Sequence, residues 1–341
     1  MAGTDAETET GLRPGTFAVA TLQEGPRAFP ALVRPDGDVV DVSDRYADTH
    51  AIFDDWAGAF PLLADLESTA PAGLRYERLR PLPPLAHPNL LGAGANYKTH
   101  SAQMLTRNRF NQHNRLPDET DEAFFARNLA LMEERSRTGT PFLWAGLHSS
   151  LAGAHDDLVL PPIGDQPDWE LELCVVIGAS ERHVPIEEAG RLIAGYTILN
   201  DVGTVDVFRR TDIPFGYDWI SKHQPGFKIA GPFVVPAEFV DLGGLRITLA
   251  VNGETMQDWP ADDMIFGPAQ MVTYASERVR LLPGDLLFLG SPPGNGAHHG
   301  RFLQPDDVID STITGLGRQR NVCVAEEIGD RTPTYPSWKT D

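Results

Sequence analysis

The sequence predicts an α+β fold dominated by β-structure, and three observations carry that prediction. From residue 150 onward, apolar runs of strand length (DLVLPP, WELELCVVIG, GYTILND, PFVVP, LRITLAVNG, DLLFLGSP) alternate with turns rich in Gly, Pro and Asp. Gly and Pro number 32 and 28 in 341 residues, too many chain punctuators for a helical bundle or coiled coil. No heptad or internal repeat runs through the chain, and this half shows one clear helical pattern, over 266–279.

The elements before residue 150 follow from the same rules. Residues 15–45 read as short strands, TFAVATL, FPALVRP and VVDVS, with Asp36-Gly37 as a hairpin turn. Residues 46–66 read as helix. Prolines 81, 83, 84 and 88 then stiffen an extended linker. The chain therefore divides into a β-rich N-terminal module, 1–84, a main domain, 85–330, and a tail, 331–341. The polar, acidic start, 1–13, is expected to fray. Residues 105–138 form a charged helical insertion, either a solvated helix or a lid over a site.

Charge and cysteine usage exclude several functions. With 28 Lys+Arg against 48 Asp+Glu, the net charge of −20 repels phosphate backbones and anionic lipid, so neither nucleic acid nor membrane is an expected partner. Cys174 and Cys323 lie far apart with no metal-ligand spacing, which excludes a disulfide framework and fits the cytoplasm. No apolar run reaches the roughly 18 residues of a membrane span, and the start has no signal-peptide core.

The most informative stretch is 168–178, DWELELCVVIG. On a strand Glu170 and Glu172 point the same way as Cys174 and Val176, while Leu171, Leu173, Val175 and Ile177 take the other face. Apolar residues on both faces mark a strand buried on both sides. Two carboxylates at its mouth need a positive partner, and a divalent cation with oxygen ligands supplies one. The alternative is a solvated strand end. Asp201, closing the apolar run GYTILN, offers a third carboxylate.

The ordered set GANYKTH (94–100), DWELELCVVIG (168–178), GYTILNDV (195–202), SKHQPGFKIAGP (221–232), VNGETMQ (251–257), DDMIF (262–266) and LLPGDLLFLGSPPGNG (281–296) resembles the fumarylacetoacetate hydrolase family over about 88–325. The resemblance implies a mixed β-sheet rolled on itself, a homodimer, and a Mg²⁺ or Mn²⁺ ion on Glu170, Glu172 and Asp201. It implies 2-oxo acid or β-diketone substrates, cleaved hydrolytically at a carbon–carbon bond or decarboxylated, hydrated or tautomerised. It also implies His100 as acid–base residue, and Lys222 as a charge for the substrate's anionic end. The Gly290-Ser291-Pro292 turn either offers backbone amides to an anionic substrate or is a tight turn between strands.

Departures from the family pattern qualify the hydrolytic reading. Where a glutamate usually supports the histidine, this chain has Gln103, which can hold the ring by a hydrogen bond but carries no charge. Glu119 or Asp121 of the insertion is a candidate replacement. Val205 stands where arginine is common, although Asp206 is kept; Leu289 replaces a threonine, and residues 145–148 lack the usual lysine. His298 and His299 are candidates to restore polar contacts. Three functions follow: a C–C hydrolase, a decarboxylase, hydratase or tautomerase of a 2-oxo acid, and a catalytically silent metal- or ligand-binding protein.

Overall fold

The computed structural model describes residues 9–335 apart from 72, 108, 211 and 213–215. The N-terminal sheet is five-stranded, ordered β4-β3-β2-β1-β5. Its strands are β1 (Ala18–Glu24), β2 (Arg27–Val33), β3 (Asp38–Asp41), β4 (Leu74–Arg75) and β5 (Arg80–Pro81). Gly37, at φ +83°, completes the expected turn between β2 and β3, a conformation that glycine adopts without strain. The helical stretch is two helices, α1 (Thr49–Asp54) and α2 (Trp56–Thr69), because Asp48 and Asp55 each cap a new N-terminus through a backbone N–H.

The expectation of a frayed start needs correction for the part described here. Thr10 and Leu12 are buried, and Leu12 bridges to residues 315 and 316. An apolar side chain with a place in the core pins the chain ahead of β1, against the polar bias of its neighbours. Residues 1–8, and 336–341 of the tail, lie outside the described residues.

The main body packs an eight-stranded mixed sheet against a five-stranded one. The larger sheet runs β7-β6-β18-β11-β12-β14-β8, with β15 also on β12. Its members are β6 (Leu90–Ala93), β7 (Leu143–Gly146), β8 (Leu151–Gly153), β11 (Leu171–Ile177), β12 (Ile193–Asp201), β14 (Lys228–Ala230), β15 (Val235–Pro236) and β18 (Leu286–Phe288). The smaller runs β17-β16-β19-β20-β9, from β9 (Leu158–Leu160), β16 (Arg246–Val251), β17 (Glu254–Pro260), β19 (Val308–Ile313) and β20 (Arg318–Ala325). A two-residue pair, β10 (Pro167–Asp168) with β13 (Gly203–Thr204), closes the end beside the acidic strand.

Strand β11 is central and wholly buried, as its two-sided apolar pattern requires. Leu171, Leu173, Val175 and Ile177 enter one core with Trp169, Leu249 and Ile309. Cys174 and Val176 enter a second core, which also contains Phe17, Val19 and Phe53 of the N-terminal module. The module is further tied on by paired backbone bonds between Val19 and Val234, at 2.8 and 2.7 Å.

Helix α3 (Lys98–Arg107) follows β6, and α4 (Asp121–Thr138) returns along it. Phe124, Asn128 and Met132 give α4 its buried stripe, and Asn128 Nδ2 donates to Thr106 Oγ1 at 3.0 Å. The insertion thus braces α3. A short helix α5 (Val205–Phe208) follows β13, α6 (Pro268–Arg278) fills the predicted helical stretch, and α7 (Gly296–His299) is one turn. Among the described residues no helix is long and apolar enough to cross a membrane.

Candidate metal centre

Sheet register assembles the acidic site. In the β11–β12 pair Leu171 lies opposite Asn200, and Asp201 N–H donates to the Glu170 carbonyl at 2.8 Å. Residues distant in sequence thereby become neighbours at one strand end. One carboxylate oxygen each of Glu170, Glu172 and Asp201 falls within 4.8 Å of the others. The surrounding amides hold this arrangement: Glu170 N–H donates to Asn200 Oδ1 at 3.0 Å, and Leu171 N–H to Gln257 Oε1 at 3.1 Å. Glu172 Oε2 accepts the Gly290 N–H at 2.6 Å.

Two lysines face the three carboxylates. Lys222 Nζ lies 2.5 Å from both Glu170 Oε2 and Asp201 Oδ2, and Lys228 Nζ lies 2.7 Å from Asp201 Oδ1. Asp201 is buried, which opposes ionisation, yet the two ammoniums hold its carboxyl below the usual range. Glu170 and Glu172 are pushed upward, first by burial; the neighbouring Asp201 charge adds to this in both, while Lys222 opposes it. With all three ionised, the carboxylates outnumber the two ammoniums and leave a negative excess. An oxygen-only donor set of this kind suits Mg²⁺ or Mn²⁺, which neutralises the excess.

This electrostatic imbalance has a measurable sign. Glu170 and Glu172 retain protons in the metal-free fold at pH values where the unfolded chain has lost them, so their ionisation lowers stability as pH rises from the usual carboxyl range toward their raised values. A cation replaces those protons. The Mn²⁺-induced rise in melting temperature is therefore expected to be larger at about pH 8 than at about pH 5.5. Thermal melts with and without Mn²⁺ check this, and an equal or smaller rise at the higher pH would count against carboxylate ligation.

His100 projects from the first turn of α3. Burial, then the positive character of His298, Arg209 and Lys222, pushes its pKa down to about 4, so the ring is neutral at pH 7. The expected hydrogen bond from Gln103 is not formed: His100 Nδ1 and Gln103 Oε1 are both buried without a partner. Nor do the insertion's acids replace a glutamate. Glu119 is held by Arg127 at 2.9 and 2.8 Å, and Asp121 pairs with Arg115. Each is engaged by the basic residues of its own segment.

The turn at 290–292 also differs from expectation. The Gly290 amide, expected to meet an anionic substrate, instead holds Glu172, and Ser291 Oγ accepts from Gln257 Nε2 at 2.9 Å. Both groups orient the acidic strand in this structure. Lys222 likewise sits on Glu170 and Asp201, with its ammonium 5.5 Å from the Trp144 ring centroid and 5.8 Å from that of Phe208.

The family model described as fumarylacetoacetate (FAA) hydrolase C-terminal matches residues 89–324. The chain belongs to the fumarylacetoacetate hydrolase family. A 2,4-didehydro-3-deoxy-L-rhamnonate hydrolase of Sphingomonas sp. (strain SKA58) is 39% identical over 185 residues, which are 53% of this chain and 64% of that protein. A human mitochondrial oxaloacetate tautomerase is 34% identical over 181 residues, 52% of this chain and 57% of that protein. The matched stretch thus spans less than two thirds of either relative. Maleylpyruvate hydrolase from Sphingobium sp. SYK-6, solved with manganese (II) ion and pyruvate, shares the fold at TM-score 0.68 and 18% identity, over 91% of this chain and 100% of that one. Members of the fumarylacetoacetate hydrolase family thus include hydrolases and tautomerases.

Within this family member, several residues of the quoted motifs hold the site in ways that the motifs alone do not tell. Lys228, inside the apolar run FKIAGP of the motif at 221–232, is fully buried in β14. Burial pulls its pKa below the usual lysine range, against the attraction of Asp201. Asp168 accepts from the Gly296 and Ala297 amides at 2.5 and 2.9 Å, fixing α7 to the acidic strand. Asn96 donates to the carbonyls of Phe266 and Leu289 at 3.0 and 2.9 Å, joining three family motifs. Asp206 accepts from the Asp165 and Gln166 amides and so holds the loop before β10.

Proposed function

We propose that this fumarylacetoacetate hydrolase family member is a Mg²⁺- or Mn²⁺-dependent enzyme that hydrolyses a carbon–carbon bond in a β-diketone or acylpyruvate-type 2-oxo acid, working as a homodimer. The observation that carries this reading is the convergence of Glu170, Glu172 and Asp201 within 4.8 Å, at the end of an otherwise apolar strand. These residues would hold the ion, which when bound polarises a carbonyl and stabilises negative charge developing on adjacent oxygens.

The chain's own groups supply the rest. Lys222 offers its ammonium to the substrate's anionic end, with Trp144 and Phe208 faces beside it to favour a cation. His100, neutral at pH 7, takes a proton from water as its oxygen adds to the carbonyl. The carbon–carbon bond then breaks, its electron pair passes to the leaving carbon, and the proton returns there. A second reading, tautomerisation of a 2-oxo acid, is favoured by the missing carboxylate at His100. Moving a proton between carbon and oxygen asks less of a weak base than activating water.

Mass spectrometry of products from acylpyruvates, oxaloacetate and longer β-diketo acids, incubated with Mn²⁺-loaded protein, separates the two. Fragments whose masses sum to substrate plus water are expected for hydrolysis. An unchanged molecular formula in ordinary water, with deuterium taken up at carbon when the reaction runs in heavy water, would establish tautomerisation instead.

A further inference from the structure

Asn295 stands immediately before α7, where an asparagine ordinarily caps the turn with its own side chain. Here that side chain caps nothing. Asp168 does so instead, accepting from the Gly296 and Ala297 amides, and His299 ties the other end of the turn through Nε2 to the Met256 carbonyl at 3.1 Å. The backbone on either side leaves no room for a side chain. A Cβ at Gly294 would lie 2.1 Å from the Met256 carbonyl oxygen, and one at Gly296 2.2 Å from that of Arg301. Trp169 Nε1 donates to the Gly294 carbonyl at 3.0 Å. The Asn295 carboxamide is thus held in place by its neighbours and is not used to hold them.

That carboxamide lies at the acidic site. Its Nδ2 is 3.5 Å from Glu170 Oε1, the long limit of a hydrogen bond, while Lys222 takes the other oxygen of the same carboxylate. Glu170 is also on the open side of the site: its side chain is 27% exposed, against 2% for Asp201. Asn295 therefore flanks the side from which a substrate approaches. Its own side chain is buried, and Oδ1 has no hydrogen-bond partner among the described residues. Turning the amide round would set its oxygen against the Glu170 carboxylate, so the unpaired atom is the acceptor. Leaving a buried acceptor unpaired is costly, and such a group calls for a partner.

A carboxylate or keto oxygen has no hydrogen to give to that acceptor, whereas a hydroxyl has one. We infer that Asn295 is a specificity residue whose Oδ1 accepts the O–H of an alcohol group on the chain of the bound 2-oxo acid. Hydroxylated 2-oxo acids are thereby selected over their deoxy counterparts, because the deoxy compound leaves the buried oxygen unpaired in the complex. Lys222 and Asn295 address different oxygens of Glu170, so the anionic end and the alcohol are separate points of recognition. The inference rests on the 2-oxo acid reading proposed above and names the substrate class within it.

Calorimetric titrations of the Mn²⁺-loaded protein with 2-oxopentanoate and its 3-hydroxy and 4-hydroxy forms test this without turnover. At least one hydroxy acid is expected to bind roughly 10- to 100-fold more tightly than 2-oxopentanoate. In Asn295→Leu and Asn295→Ala that preference should shrink to about threefold or less, through a loss concentrated on the hydroxylated ligand. Equal affinities in the wild type, a preference that survives in the variants, or no binding of any of the three would overturn the inference. Both variants should melt within a few degrees of the wild type, since Asp168 and His299 hold α7. If neither folds, Asn295 is a structural residue and the inference falls. Acylpyruvates left uncleaved, with the hydroxyl preference intact, would refute the hydrolase reading alone.

Discussion

Asp201→Asn is expected to abolish stoichiometric Mn²⁺ binding and to destabilise the metal-free protein as well, whereas Glu172→Gln should abolish binding without that destabilisation. Asp201 is buried between two ammoniums, Lys222 at 2.5 Å and Lys228 at 2.7 Å. The amide isostere leaves both lysines buried with only Glu170 opposite Lys222, and removing one partner of a buried pair costs about 3–5 kcal/mol. Glu172 is in the opposite situation. Burial and the charges of Asp201 and Glu170 push its carboxyl well above the usual range, so its neutral form is the comfortable one. Glutamine keeps an acceptor for the Gly290 amide and removes the repulsion. Mn²⁺ affinity should fall by more than about 100-fold in both variants, since altering even an outer partner of a ligand typically costs about 10- to 100-fold. Calorimetric titration and thermal melts without metal give the two readouts. Retained stoichiometric binding in either variant would sink the assignment of ligands.

The acidic residues were legible because strand periodicity is a local property. Alternation within WELELCVVIG places Glu170 and Glu172 together, and the apolar second face tells that the strand is buried. Joining them to Asp201 depends on the register of β11 against β12, which no window of sequence contains. Lys228 was hidden for a related reason. A lysine in a short apolar strand has no periodic signature, and only the fold shows the carboxylate that accompanies it into the core. The supporting polar side chains are harder still: Asn200, Gln257 and Asp168 accept from backbone N–H groups supplied by remote loops or neighbouring strands.

Where expected contacts are absent or taken by other partners, the causes are physical too. A histidine and a glutamine three residues apart share a helix face, but that spacing does not make them bond, and here both relevant atoms stay unpartnered. Glu119 and Asp121 looked available because the insertion is highly charged. In the fold, Arg127 and Arg115 of the same segment engage them. Gly290 and Ser291 sit where a substrate-facing turn was expected, yet a buried carboxylate and a buried amide each needed a partner there first.

His100→Ala should lower kcat roughly 10²- to 10⁴-fold while leaving Mn²⁺ stoichiometry intact, because the ring supplies proton transfer and none of the ligands. A variant that binds metal and reacts at the wild-type rate would remove His100 from the mechanism. The pH profile gives a sharper check, since the residue's surroundings fix its direction. With the His100 pKa pushed down to about 4, the neutral base is present throughout the range above that value. The acid limb of kcat/KM assigned to His100 should therefore lie near or below pH 5, and a bound cation can only move it lower. Gln103→Glu reverses the sign of the local charge. A carboxylate one helical turn away favours imidazolium, raises the His100 pKa and moves the acid limb toward neutrality. The variant should consequently be slower than wild type near pH 5, where its histidine is already protonated, and faster near pH 7.5, where a stronger base is free to act. An acid limb that stays in place in Gln103→Glu would mean that His100 does not set it.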